Sequence, residues 1–262
     1  MAEELLFDVQ DYVAVMTLNR PEALNAFTPA MLEGWVARLE EAQARDDIRA
    51  LVVTGTGRGF CSGGDVKRMG EGADNSPRTI KDGLWTRTQM VAKRMIQFDK
   101  PVVAAINGVA AGGGLDIALC CDIRTAAESA RMAETYARIA LLPGAGGAWF
   151  LPRIVGKAKA LEMLWTCEFV EAHAAKEIGL VSHVWPDDEL MDRTLALAGR
   201  IARGAPLSNR LIKRTLNQGL ETDLWTHLDQ ISSHIAAIRS SEDHVEAIRA
   251  FKEKRDPVFK GR

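Results

Sequence analysis

The sequence predicts a mixed α/β fold, and three observations carry that prediction. Short runs such as "RALVVTG" and "PVVAAIN" are rich in β-branched and small apolar residues and read as buried strands. Between such runs lie stretches whose apolar residues recur at helical spacing. Two glycine-rich turns, at 52–69 and 102–119, each follow a strand and lead toward a helix. A chain of 262 residues can bury about three quarters of its unfolded surface, and one domain, or one with an appendage, is expected at this length.

The elements follow in order. "LLFDVQ" and "YVAVMTLNR" flank a short polar break, and β-branched residues alternate along the second, which predicts a hairpin. Thr28 then reads as an N-cap with Pro29 at the first helical position, and Leu32, Trp35, Val36, Leu39 and Ala42 form one helical face. "RALVVTG" is the next strand. "GEGADNSPRT" at 70–79 has loop composition. A helix from about Ile80 to Phe98 stops before Pro101, "PVVAAIN" is a strand, "GGLDIALCC" a short helix and "DIRTAA" a strand again. After "LLPGAGGAWFLPRIVG" come helical "KAKALEMLWT" and "EAHAAKEIG" and a last strand, "LVSHVW". From Asp187 to Arg255 the pattern is helical, with Leu211, Leu216, Leu224, Leu228, Ile231 and Ile235 among apolar positions that need a partner surface. The order is compatible with a degenerate strand-helix repeat of irregular length.

Composition excludes several classes. Lys plus Arg number 33 against 35 Asp plus Glu, a net charge of -2, so no global field attracts nucleic acid. No apolar run approaches the length needed to span a bilayer, and "MAEELLFDVQ" lacks the features of a secretory signal. The four cysteines, Cys61, Cys120, Cys121 and Cys167, show no Cys-x-x-Cys spacing, which fits reduced thiols in a cytoplasm. The five histidines show no His-x-x-x-His spacing, and no metal is expected.

The candidate chemistry lies in the two glycine turns. Without side chains there, backbone N–H groups can approach a ligand atom closely, and a helix N-terminus favours negative charge. Two converging N–H groups make an oxyanion hole, in which one donor is worth about 2.7 to 4 kcal/mol of transition-state stabilisation. Neither turn matches a nucleotide phosphate cradle. The second turn is followed by Asp116, a carboxylate among Leu115, Ile117 and Leu119, where burial is costly without a purpose. Ser62 has neither a nucleophile elbow nor a fixed His partner, and Cys120 and Cys121 read as core thiols.

Four ordered segments, "NRPEALNAF" (19–27), "GRGFCSGGDVKRM" (57–69), "NGVAAGGGLDIALCCDIR" (107–124) and "LLPGAGGAWFLPRIVG" (141–156), resemble the successive signatures of the crotonase family, also called the enoyl-CoA hydratase/isomerase family. The resemblance continues through "EIGLVSHVWP" to the terminal "FKEKRDPVFKGR". It implies a spiral of repeated ββα units, with residues 1–195 as the acyl-CoA-binding core and 196–262 as a C-terminal helical region that builds homo-trimers or hexamers. By motif position it implies the N–H groups of Gly64 and Gly113 as oxyanion donors. Ala23, Leu24, Ala26, Asp65 and Val66 would shape the coenzyme A channel.

In hydratases of this family two glutamates hold and activate water. The first position falls on Asp116 and the second on Tyr136, whose ordinary pKa of about 10 makes it a poor base. Glu134, two residues earlier, is a further catalytic candidate that would serve if the local backbone shifts or the pocket is rearranged, and otherwise reads as a surface or salt-bridged acid. "Gly-Gly-Gly-x-Asp" at 112–116 also resembles the dienoyl-CoA isomerases, whose further acids fall on Tyr136 and Gly144. The expected function is hydration of a 2-enoyl-CoA. The alternatives are double-bond isomerisation by a single carboxylate and acyl-CoA binding without catalysis. No cofactor is expected beyond the coenzyme A carried by the substrate.

Overall fold

The computed structural model describes residues 3–65 and 76–262. Strands β1 (Leu5–Gln10) and β2 (Val13–Leu18) form the expected antiparallel hairpin, with Leu5 opposite Leu18 and Gln10 opposite Val13. Its two-residue turn, Asp11 and Tyr12, has positive φ at both positions (49° and 67°), the turn geometry that matches strand twist. Helix α1 (Pro29–Ala44) follows, capped by Thr28 Oγ1, which accepts from the Met31 N–H at 3.0 Å. Its buried face carries Met31, Leu32, Trp35, Leu39 and Ala42. The indole of Trp35 meets Phe27 edge-on with centroids 6.4 Å apart. The other end of α1 is closed by buried Lys100, whose Nζ donates to the Ala42 and Arg45 carbonyls at 2.7 and 2.6 Å, a cation at a helix C-terminus.

The ββα repeat then becomes visible. Strands β3 (Ala50–Gly55), β5 (Val102–Ile106) and β7 (Ile123–Ala127) continue the large sheet in parallel, in the order β1-β2-β3-β5-β7-β10, where β10 is His183–Trp185. Each is followed by a three-residue strand, β4 (Gly59–Cys61), β6 (Val109–Ala111) or β8 (Arg131–Ala133). These pair with one another and with β9 (Val170–Glu171) in a second sheet, ordered β4-β6-β8-β9. Residue patterning predicts one strand per repeat, and the structure has two. Three residues such as Gly-Phe-Cys or Val-Ala-Ala are too short to show a period.

Helices fill the spaces between strands. Part of the expected 70–79 loop lies outside the described residues. The rest begins a helix, since Ser76 Oγ accepts from the Thr79 N–H and caps α2 (Pro77–Gly83). A π-turn (Leu84–Thr88) joins α2 to α3 (Gln89–Gln97), so the helical run starts three residues before Ile80. The next helices are α4 (Gly113–Leu119), α5 (Gly147–Val155), α6 (Lys157–Thr166) and α7 (Ala172–Glu177). Sequence reading gave no helix at α5, which contains Pro152 and therefore lacks one interior hydrogen bond. Helix α8 (Leu190–Ala202) crosses residue 195 and lies on the large sheet. Helices α9 (Pro206–Gly219), α10 (Leu224–Arg239) and α11 (Glu242–Glu253) close the chain. No residue of α9 or α10 is buried, and Trp225 is 80 % exposed. Among the described residues no helix is long and apolar enough to cross a membrane.

Candidate active site

The two glycine turns meet. At Gly63 (φ +85°) an added Cβ would stand 2.7 Å from the Gly113 nitrogen and 3.0 Å from the Ala111 carbonyl oxygen, so only glycine leaves the Gly113 nitrogen uncovered. A Cβ at Gly114 would fall 2.1 Å from the Cys61 carbonyl oxygen. The first turn is also tied to the chain before α1. The Phe27 N–H donates to the Gly63 carbonyl at 2.8 Å, and Phe27 bridges Gly64 in parallel. Gly113 opens α4, and the first N–H groups of a helix have no carbonyl partner within it. Thus Gly64 and Gly113, predicted from motif position, lie on adjoining segments.

The residues expected to shape a channel gather beside them. The Ser62 N–H donates to the Leu24 carbonyl at 2.9 Å, and Ser62 Oγ to that of Ala23 at 3.3 Å. Ala26 is buried, and Ala23, Leu24 and Asp65 are half-buried. Val66 lies outside the described residues. Leu24 and Asn25 both adopt left-handed backbone (φ 49° and 55°), a conformation an L-residue holds only where its surroundings impose it. Here the clamp is Asn25, which sequence reading did not single out. Its buried amide donates to the Thr56 and Gly59 carbonyls at 3.0 and 2.8 Å and accepts from the Arg20 N–H at 2.8 Å. Asn107 grips the same turn, donating to the Gly57 and Gly59 carbonyls and accepting from the Gly55 N–H. Both asparagines stand inside the quoted motifs, but their partners lie far away in the chain.

Asp116, on α4, is fully buried. Its Oδ2 accepts from the Tyr136 hydroxyl at 2.6 Å and from the Ala145 N–H at 2.8 Å. Burial pushes its carboxyl above the usual range, while the donors from Tyr136 and Ala145 hold it down. Tyr136 opens a short 3-10 turn, and burial together with the Asp116 charge raises its phenol, so it stays a neutral donor. The Tyr136 hydroxyl also lies 3.5 Å from where a Cβ on Gly113 would be. Carboxylate, phenol and glycine turn therefore share one locus.

Of the two readings of Glu134, a catalytic candidate or a surface or salt-bridged acid, its burial corrects the second. It is fully buried, follows β8, and has neither carboxyl oxygen hydrogen-bonded. The chain bends at Thr135 (φ −89°, ψ 7°), which brings both Glu134 and Tyr136 to Asp116. A Cβ on Gly147 would fall 2.0 Å from Asp116 Oδ1 and 2.9 Å from Glu134 Oε1; the two carboxyls close over that glycine. Burial first, and the Asp116 charge second, push the Glu134 carboxyl up to about 10.

Other chemistries find little here. Burial raises the Cys61 and Cys121 thiols to about 12 and Cys120 in the same direction, which removes thiolate character. Among the described residues no three His, Cys, Asp or Glu side chains form a metal-ligand group. A cavity of about 940 Å³ lies beside Ala145, between α3, α5 and α9, lined by Ile96, Trp149, Phe150, Ile212 and Leu216 among others. None of Asp116, Glu134 and Tyr136 lines it.

The chain is similar to known proteins over its whole length. The family model described as enoyl-CoA hydratase/isomerase matches residues 8–262. The chain is similar to the 2,3-dehydroadipyl-CoA hydratase of Escherichia coli, at 39 % identity over 99 % of both chains. It is also similar to the 1,2-epoxyphenylacetyl-CoA isomerase of the same organism, at 34 % identity over 100 % of both. Its fold matches the crystal structure of an enoyl-CoA hydratase from Bacillus anthracis with a TM-score of 0.94, at 34 % identity, over 99 % of this chain and 100 % of that one.

Proposed function

The chain belongs to the enoyl-CoA hydratase/isomerase family, and on that premise we propose that it hydrates a 2-enoyl-CoA thioester through an enolate. The observation that carries the reading is Asp116, whose Oδ2 takes the Tyr136 hydroxyl at 2.6 Å beside the adjoining glycine turns. In this reading the N–H groups of Gly64 and Gly113 hold the thioester oxygen as it gains charge. Asp116 takes a proton from water as the oxygen adds to Cβ, and returns a proton to Cα. One carboxylate thus ends the cycle as it began. Tyr136, neutral, orients Asp116 and does not act as a base. Ala23, Leu24, Ala26, Asp65 and Val66 shape the coenzyme A channel, and no cofactor is needed beyond the coenzyme A of the substrate. The uncovered apolar faces of α9 and α10 support assembly as a trimer or hexamer through residues 196–262, and four buried free thiols fit a reducing cytoplasm.

A second reading, double-bond isomerisation, is favoured by one feature. The second family glutamate position holds Tyr136, whose raised phenol pKa keeps it from activating water, whereas one carboxylate suffices to move a proton between Cα and Cγ. Saturated, 2-enoyl, 3-enoyl and dienoyl thioesters incubated in D2O and read by mass spectrometry separate the two. Gain of water, lost in Asp116→Asn, supports hydration. Deuterium uptake with a shifted double bond and no added water supports isomerisation. An inert panel leaves acyl-CoA binding without catalysis.

A further inference from the structure

Three buried carboxyl oxygens, Asp116 Oδ1 and both oxygens of Glu134, have no hydrogen-bond partner. They converge over Gly147, and among the described residues no cation is among the groups that act on either carboxyl. Two adjoining carboxylates without a counter-ion cannot both stay charged when buried. A single proton held between the two groups removes one of the two charges and gives Asp116 Oδ1 a donor.

We infer that Glu134 is a positioning residue that keeps its proton at neutral pH and donates it to Asp116 Oδ1, so that the pair carries one negative charge and that charge rests on Asp116. The choice between the two follows from their donors. Asp116 accepts from the Tyr136 hydroxyl and the Ala145 N–H, and such bonds favour the ionised form, whereas Glu134 receives no donor. The other titratable groups that bear on the pair are Tyr136 and Cys120 beside Asp116 and Cys167 beside Glu134. None of the three can carry a positive charge, so none offsets the charge of a second carboxylate. With three donors in place, a fully buried Asp116 serves as a base at neutral pH. The effect on rate rests on the proposed enolate chemistry; the location of the proton does not.

Two measurements test this. Infrared spectra of the free protein at neutral pH show a protonated-carboxyl band that disappears in Glu134→Gln and survives in Asp116→Asn. A spectrum unchanged by Glu134→Gln overturns the inference, and it does so whether or not any thioester turns over. In the pH profile of kcat, Glu134→Leu moves the acid limb upward by about one unit, because Asp116 loses a donor, and Glu134→Gln, which keeps an N–H donor, restores it. Equal displacement in both variants also overturns the inference.

Discussion

The Tyr136 hydroxyl donates to Asp116 Oδ2 at 2.6 Å, across twenty residues of chain. A hydrogen bond to an ionised acceptor is worth about 1.5 to 3 kcal/mol. Its removal in Tyr136→Phe raises the Asp116 pKa, because the charged form loses a donor. The acid limb of the kcat profile therefore moves to higher pH, and kcat on that limb falls. A pH series on the purified variant checks both.

Gly147 is the point at which the two carboxyls close. A methyl group there would overlap Asp116 Oδ1, at 2.0 Å from the added Cβ, and one of the two must move. Gly147→Ala is expected to lower kcat by about a hundredfold, the cost of a displacement near one ångström at a reacting group. Circular dichroism should show the secondary structure retained.

Protonated Glu134 makes stability depend on pH. Its carboxyl is raised from 4.5 to about 10 in the fold, so between those values the folded chain holds a proton that the unfolded chain releases. Stability from this group therefore falls as pH rises through that window. Above pH 10 the loss is complete. Glu134→Gln lacks this dependence, so denaturant unfolding at pH 6 and pH 9 should show the variant gaining on the wild type.

Asn25 holds two carbonyls and one N–H in a buried site. Asn25→Ala leaves those groups unpaired and should cost about 1 to 3 kcal/mol for each one not reached by water. The left-handed turn at Leu24 and Asn25 then relaxes. In the proposed channel this raises KM for the thioester more than it lowers kcat, as steady-state kinetics would show.

The large sheet and α1 were legible in the sequence because their apolar residues have a period and their caps are local: Thr28 and Pro29 mark the start of α1 without any tertiary information. The glycine turns were legible for the same reason. The second sheet was not, since strands as short as Gly59–Cys61 are specified by their neighbours. Glu134 shows the other limit. Counting along the chain puts it two residues from the expected position, and only the bend at Thr135 brings its carboxyl to Asp116. Asn25 and Asn107 act on carbonyls some thirty to fifty residues away, a relationship no local pattern carries.

The most direct test of proton transfer by Asp116 is exchange at Cα. A saturated acyl-CoA thioester is incubated with the protein in D2O, and deuterium uptake is followed by mass spectrometry for the wild type and Asp116→Asn. Enolate formation at Asp116 predicts uptake by the wild type and a loss of about a hundredfold or more in the variant. Equal uptake by both proteins would contradict it and assign the proton to another group.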